Sequence, residues 1–144
     1  MLETMQQFMD WLGDEEISYD YSDEMDAVRI QTETDGAGLM EVIIGFADEW
    51  NTVAIRCEEF FSFKAANRQA MLEVCNRLNL DYRWVRFGVY DEDNTVLMAM
   101  DVDLEAYVRE GDPVSQIRWG VDTLIEIGEE VYPEFTRATL TVLS

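Results

Sequence analysis

The sequence predicts an α+β domain, an antiparallel sheet with helices packed on it in the order α-β-β-β-α-β-β-α. Three observations predict it. In three segments the apolar residues recur at steps of three and four, the period of a helix with one buried face. In five others they alternate at period two, the period of a strand with one wet face. The 144 residues contain no internal repeat and no linker long enough to divide them, so residues 1–144 read as a single domain.

The first helical stripe is Leu2, Met5, Phe8, Met9 and Leu12, with Gly13 as its natural stop. The acidic stretch "DEEISYDYSDEMDA" follows. Ile17, Tyr19 and Tyr21 alternate inside it, which allows a short edge strand, while residues 22–26 read as a solvated connection. "AVRIQTET" alternates through Val28 and Ile30, "DGAG" turns the chain, and "LMEVIIGF" places Met40, Val42, Ile44 and Phe46 on one face. "ADEWN" turns it again. "TVAIRCEEFFSF" then points Val53, Ile55 and Cys57 inward and Arg56 and Glu58 outward.

The period switches in "AANRQAMLEVCNRLN", where Met71, Leu72, Cys75 and Leu78 share a stripe. A hairpin follows: Val85, Phe87 and Val89 alternate, "DEDN" turns, and Val96, Met98, Met100 and Val102 return. The last helix has the clearest start, with Asp112 as N-cap and Pro113 at the first helical position. Its stripe is Ile117, Val121, Leu124, Gly128, Val131 and Phe135. Gly128 inside the stripe predicts close approach to another backbone, and Pro133 predicts a loosened last turn.

The charge narrows the partners. Thirty-one acids face ten bases, a formal net charge of -21. Phosphate backbones and anionic membrane surfaces would be repelled, so neither nucleic acid nor membrane is an expected partner. Lys64 is the only lysine. Acid richness with scarce lysine fits either salt adaptation or a biased genome, and the second is the simpler reading. No apolar run is long enough to span a bilayer and the N-terminus lacks a signal-peptide pattern, so a cytoplasmic protein is expected.

The motifs for chemistry fail one by one. Cys57 and Cys75 are too few for a disulfide framework, and without histidine they cannot complete a zinc site. Cys75 lies on an apolar stripe with no histidine to make its thiolate, so both cysteines read as small buried hydrophobes. "DEDNTV" at 91–96 opens like a calcium loop but has Val96 and Val102 where glycine and glutamate belong. "DVDLE" at 101–105 fails in the same way at Ala106. "DGAG" is not followed by a helix and is no phosphate loop. No catalytic residue, cofactor or metal ligand is expected.

Two tryptophans stand out. Trp119 lies across the helical wheel from Ile117, Val121 and Leu124, beside Asp122, Glu126 and Glu130, and Trp11 is off the stripe of the first helix. Each is a candidate partner contact, or is half-covered by a neighbouring loop or terminus. Met98 and Met100 admit an adaptable binding surface but fit core packing under a helix better.

Residues 65–136 also carry a resemblance. "MLEVCNRLNLDYRWVRFGVYDEDNTVLMAMDVDLE" and the "DPVSQIRWGVDTLIEIGEEVYPEF" helix resemble the YbjN domain family of bacteria, whose amphipathic helix ends in an Asn-x-x-Asn pattern, here Asn76 and Asn79. Asn79 suits the left-handed turn that ends a helix, and Asn76 suits a side-chain bond to a nearby loop or strand. The resemblance implies a fold similar to the type III secretion chaperones, which are small, acidic and often dimeric, bind extended client segments and do no chemistry. It also implies a role in sensory or stress regulation.

The function expected is therefore a non-enzymatic protein-interaction module, chaperone-like or a regulatory adaptor. Its partner would be a protein or peptide of unknown identity, and the module would be a homodimer. An enzyme using carboxylates or a divalent ion is the alternative. An acidic inhibitor of a basic protein is the third reading.

Overall fold

The computed structural model describes residues 2–47, 52–104 and 112–143. The elements are α1 (Glu3–Asp14), β1 (Asp20–Ser22), β2 (Ala27–Thr34), β3 (Gly38–Ala47), β4 (Thr52–Ser62), α2 (Arg68–Asp81), β5 (Arg86–Tyr90), β6 (Thr95–Asp103) and α3 (Pro113–Leu143). The α+β layout implied by the resemblance is the one found. Its one addition is β1, three residues long, so the edge strand that the alternation of Tyr19 and Tyr21 allowed does form. Most of the "ADEWN" turn, and Glu105 and Ala106 of the second calcium-like stretch, lie outside the described residues.

All six strands form one antiparallel sheet in the order β1-β2-β3-β4-β6-β5. Strands β4 and β5 run the same way with β6 between them. Their connection must travel the length of the sheet, and α2 does so. The β2–β3 hairpin closes through Thr34 and Gly38. Gly38 has φ 68°, and the Ala37 N–H donates to Thr34 Oγ1 at 2.9 Å.

The helices pack on one face. α3 lies across β4 and β6, flanked by α1 and α2. Its stripe is buried as the period requires, and Val114 N–H donates to Asp112 Oδ1 at 3.0 Å, the expected cap. Two glycines make the close seat. A Cβ on Gly120 would sit 2.5 Å from Ile55 Cδ1 and 2.8 Å from Val102 Cγ2. One on Gly128 would sit 2.8 Å from Met40 Cε and 3.2 Å from Phe60 Cε1. Gly128 therefore meets side chains and not the backbone its position suggested.

The backbone approach is elsewhere. Pro133 lies inside α3, which runs on to Leu143 instead of loosening. Proline has no N–H, so the carbonyl four residues earlier, that of Glu129, loses its helical donor. Gly36 of the β2–β3 turn sits against that carbonyl, where a Cβ would come within 2.9 Å.

The end of α1 also differs from expectation. The Ile17 N–H donates to the Leu12 carbonyl at 2.9 Å and the Glu16 N–H to that of Gly13 at 3.1 Å, with Glu16 at φ 59°. This is a Schellman stop, in which Glu16 and not Gly13 takes the left-handed position.

A register shift between Cys57 and Phe61 bends β4, so the consecutive Phe60 and Phe61 are both buried. Both pack on Tyr132 and Phe135, which hold the far half of α3. Met98 and Met100 are buried under the helices, as core residues.

The other face of the sheet is open. One row of paired residues crosses all six strands: Asp20, Arg29, Ile43, Arg56, Ala99 and Arg86. Ala99 is only 3% exposed between Arg56 and Arg86, whose aliphatic stems shield it.

Gly120→Ala should destabilise the protein by about 1–3 kcal/mol through overpacking. That outweighs the ~1 kcal/mol an exposed helical Gly→Ala change normally gains. Thermal unfolding checks it, and a raised Tm would contradict the close seat.

Candidate partner-binding edge

Sheet edges are where unpaired backbone invites another chain, and the two edges of this sheet differ. Phase decides which residues point outward. The Phe46 N–H donates to the Asp26 carbonyl at 2.8 Å, in step with the β2–β3 register. Even-numbered residues of β2 therefore bond to β3, and odd-numbered ones face away. Arg29 and Ala27 spend those outward groups on Asp20 and Ser22 of β1. The pairing stops at Asp20–Arg29, and Gln31 and Glu33 present their N–H and C=O groups at the edge of β2. By the same phase, Tyr21 is the residue of β1 that faces outward.

The β5 edge is plugged at Phe87. Asn79 Nδ2–H donates to the Phe87 carbonyl at 3.0 Å, and the Phe87 N–H donates to Asn79 Oδ1 at 2.7 Å. The amide acts as one residue of an added strand, and α2 packs alongside. Beyond α2, the Tyr82 hydroxyl is raised to about 12, first by burial and then by a hydrogen bond with Glu130 of α3. Neither asparagine takes the role expected of it, and no asparagine of α2 sits in a left-handed stop. Asn79 lies within α2, which ends at Asp81, and makes the side-chain bond to a strand. Asn76 is exposed on the outer face of the helix. An exposed helical position gave no signal that Asn79 would face β5, because the reach across is set by packing.

Two cavities flank the open edge. One, of about 330 Å³, lies between α1, α3 and β2 and is lined by Phe8, Trp11, Ile30, Gln31, Arg118, Asp122 and Ile125 among others. The other, of about 290 Å³, lies at the β1 end against Tyr21, Met25, Val28, Arg29 and Ile43. Met25 is 76% and Tyr21 55% exposed.

Trp11 is half-covered. It stacks on Phe8 with ring centres 6.0 Å apart, and the Arg118 guanidinium carbon lies 4.4 Å from its own ring centre. Trp119 is 41% exposed and packs edge-to-face on Trp84, itself 55% exposed, at 5.7 Å. The structure keeps the two candidate tryptophans apart, Trp11 at the β2 edge and Trp119 toward the β5 side. Trp84 was not singled out from the sequence, because its alternating neighbours gave no reason to set it apart.

Burial holds the Cys57 thiol near 12 and the Cys75 thiol near 11, so neither forms a thiolate at neutral pH. Among the described residues no three Cys, Asp or Glu groups converge on a metal-sized site. Asp91 of the calcium-like turn is held below its usual range by Arg68, 2.6 Å away.

A six-stranded antiparallel sheet with three helices on one face, one edge plugged and one open, defines a small α+β domain. A model of the YbjN family, described as "Putative bacterial sensory transduction regulator", matches residues 4–137. The chain belongs to the YbjN family. It is similar to the crystal structure of YbjN from E. coli, described as a putative transcription regulator, at 17% identity and TM-score 0.60, covering 92% of this chain and 91% of that one. It is also similar to a chain of the HopA1–SchA chaperone–effector complex, at 12% identity and TM-score 0.54, covering 90% and 97%. None of the curated proteins matches it. No helix among the described residues is long and apolar enough to cross a membrane.

Asn79→Ala removes both bonds to Phe87 and should cost about 1–2 kcal/mol. It should also raise self-association, because the β5 edge opens. Unfolding and light scattering read the two effects separately, and a variant of unchanged stability would show that the plug is idle.

Proposed function

We propose that this protein is a non-enzymatic interaction module, chaperone-like or a regulatory adaptor, that takes an extended segment of a partner protein on the β1/β2 edge. One observation carries the reading: the two sheet edges are treated oppositely. Strand addition needs free backbone groups for affinity and pockets for alternate side chains. The edge of β2 offers Gln31 and Glu33 with the cavity at Trp11 beside them, and the β5 edge is plugged at Phe87 by Asn79. The chaperone–effector neighbour and the regulator description of the family support the same class. Two buried, unpaired cysteines suit a reducing, cytoplasmic compartment.

A specific observation favours self-association as well. Trp84 and Trp119 form an exposed aromatic pair away from the open edge, which suits a homodimer contact. Trp119→Ala should then shift the molar mass by light scattering toward the monomer, with little change in Tm. If the variant unfolds readily and associates unchanged, Trp119 is a packing residue.

The edge reading has a clean backbone test. The Gln31 N–H faces outward, so Gln31→Pro should leave the β2–β3 ladder standing while abolishing capture of extended peptides. Thr32→Pro removes a ladder donor one residue on and leaves the β3 acceptor unpaired, which should cost about 1–3 kcal/mol. If Gln31→Pro binds like the parent, the edge is not the docking site.

A further inference from the structure

We propose that the segment bound at the β1/β2 edge is basic as well as extended, and that Trp11 receives one of its Lys or Arg side chains. The inference rests on the reading of this edge as the docking site and specifies its occupant.

Charge complementarity selects the chemistry. Residues 14–35 carry nine acids, Asp14, Glu15, Glu16, Asp20, Asp23, Glu24, Asp26, Glu33 and Asp35, against the single base Arg29. Arg29 is already spent, 2.6 Å from Asp20 and 3.9 Å from Glu41. An acidic segment laid here would meet repulsion along its length. A second copy of this chain would bring the same acidic edge, and like-charge repulsion disfavours edge-to-edge pairing of two copies.

The cavity adds the side-chain detail. Along an added strand, alternate side chains point to opposite faces of the sheet. Those on the helix side enter the 330 Å³ cavity beside Trp11, Ile30 and Ile125, with Asp122 on its wall. The face of Trp11 already holds a cation in the free chain, the Arg118 guanidinium at 4.4 Å. Arg118 is the internal stand-in for the partner's side chain, and the incoming cation must displace it. The opposite side chains of the added strand lie beside Gln31 and Glu33 on the open face. The occupant is therefore a strand in which Lys or Arg alternates or interleaves with aliphatic residues.

The probe is a short fluorescein-labelled synthetic peptide alternating Lys and Val, read by anisotropy against the full chain. Its controls are a Glu/Val peptide of the same pattern and a Lys/Val peptide interrupted by prolines. Only the uninterrupted basic peptide should bind, and more weakly as salt rises from about 0.01 to about 0.1 M and the screening length shortens from about 30 to about 10 Å. Arg118→Gln should strengthen binding about two- to fivefold and Trp11→Leu should weaken it by a similar factor, the worth of one exposed cation–π contact. Thermal unfolding of both variants confirms that they fold.

If the Glu/Val peptide binds as well as the Lys/Val peptide, the charge inference is overturned while the edge reading stands. If the proline-interrupted peptide binds equally, or binding survives Gln31→Pro, attraction is diffuse and the edge reading falls too. No binding by any peptide overturns both. Unchanged affinity in the Arg118 and Trp11 variants removes Trp11 as the receiving ring.

Discussion

The structure depends on how closely α3 sits on the sheet. Gly120 lets the helix touch Ile55 and Val102, and Gly128 admits the end of Met40 and the ring of Phe60. A helix held that near to β3, β4 and β6 divides the face, leaving room for α1 on one side and α2 on the other. The bulge in β4 completes the seat by turning two consecutive phenylalanines toward Tyr132 and Phe135. Pro133 and Gly36 tie the same helix to the β2–β3 turn, because the carbonyl that proline strips of its helical donor is the one the glycine approaches. The cavity beside Trp11 is a consequence of this arrangement, since Val121, Asp122 and Ile125 of α3 form its inner wall.

The difference between the sheet edges follows from the helices. α2 packs along β5 and brings Asn79 to Phe87, where one amide satisfies a donor and an acceptor. On the other side α1 packs against α3 and β2 and ends in the Schellman stop at Glu16, after which Ile17 lines the Trp11 cavity with Gln31 and no ladder to β2 forms before Asp20. β1 is the short return, and it covers the edge only as far as Arg29. A partly covered edge with unspent groups is an aggregation hazard in a neutral protein. Here nine acids lie along that stretch, and their repulsion opposes pairing with another acidic strand.

The strands and helices were legible because burial on one face imposes a period, and periods survive in one dimension. The alternation through Met40, Val42, Ile44 and Phe46, and the stripe from Ile117 to Phe135, were both recovered in the core. The cap at Asp112 is a local bond and was equally legible. β1 was legible only as an option, since three residues carry too little pattern. The roles of the asparagine pair were not legible because both lie on the exposed part of a helix turn, and only the neighbouring strand distinguishes them. Trp11 and Trp119 were recognised as off-stripe residues, but the partners that half-cover them, Arg118 and Trp84, lie far along the chain.

By itself the sequence determined the class of the fold, the element order, the core stripes, the acidic surface and the likeness to a family. Each is set by local periodicity, composition or motif. The tertiary structure alone decided which edge is plugged, which backbone groups face outward, where the cavities open and how the arginines line up across the strands. Those depend on strand register and on contacts between residues distant in the chain. A shift of one residue in register would leave the sequence unchanged and turn every one of those groups the other way.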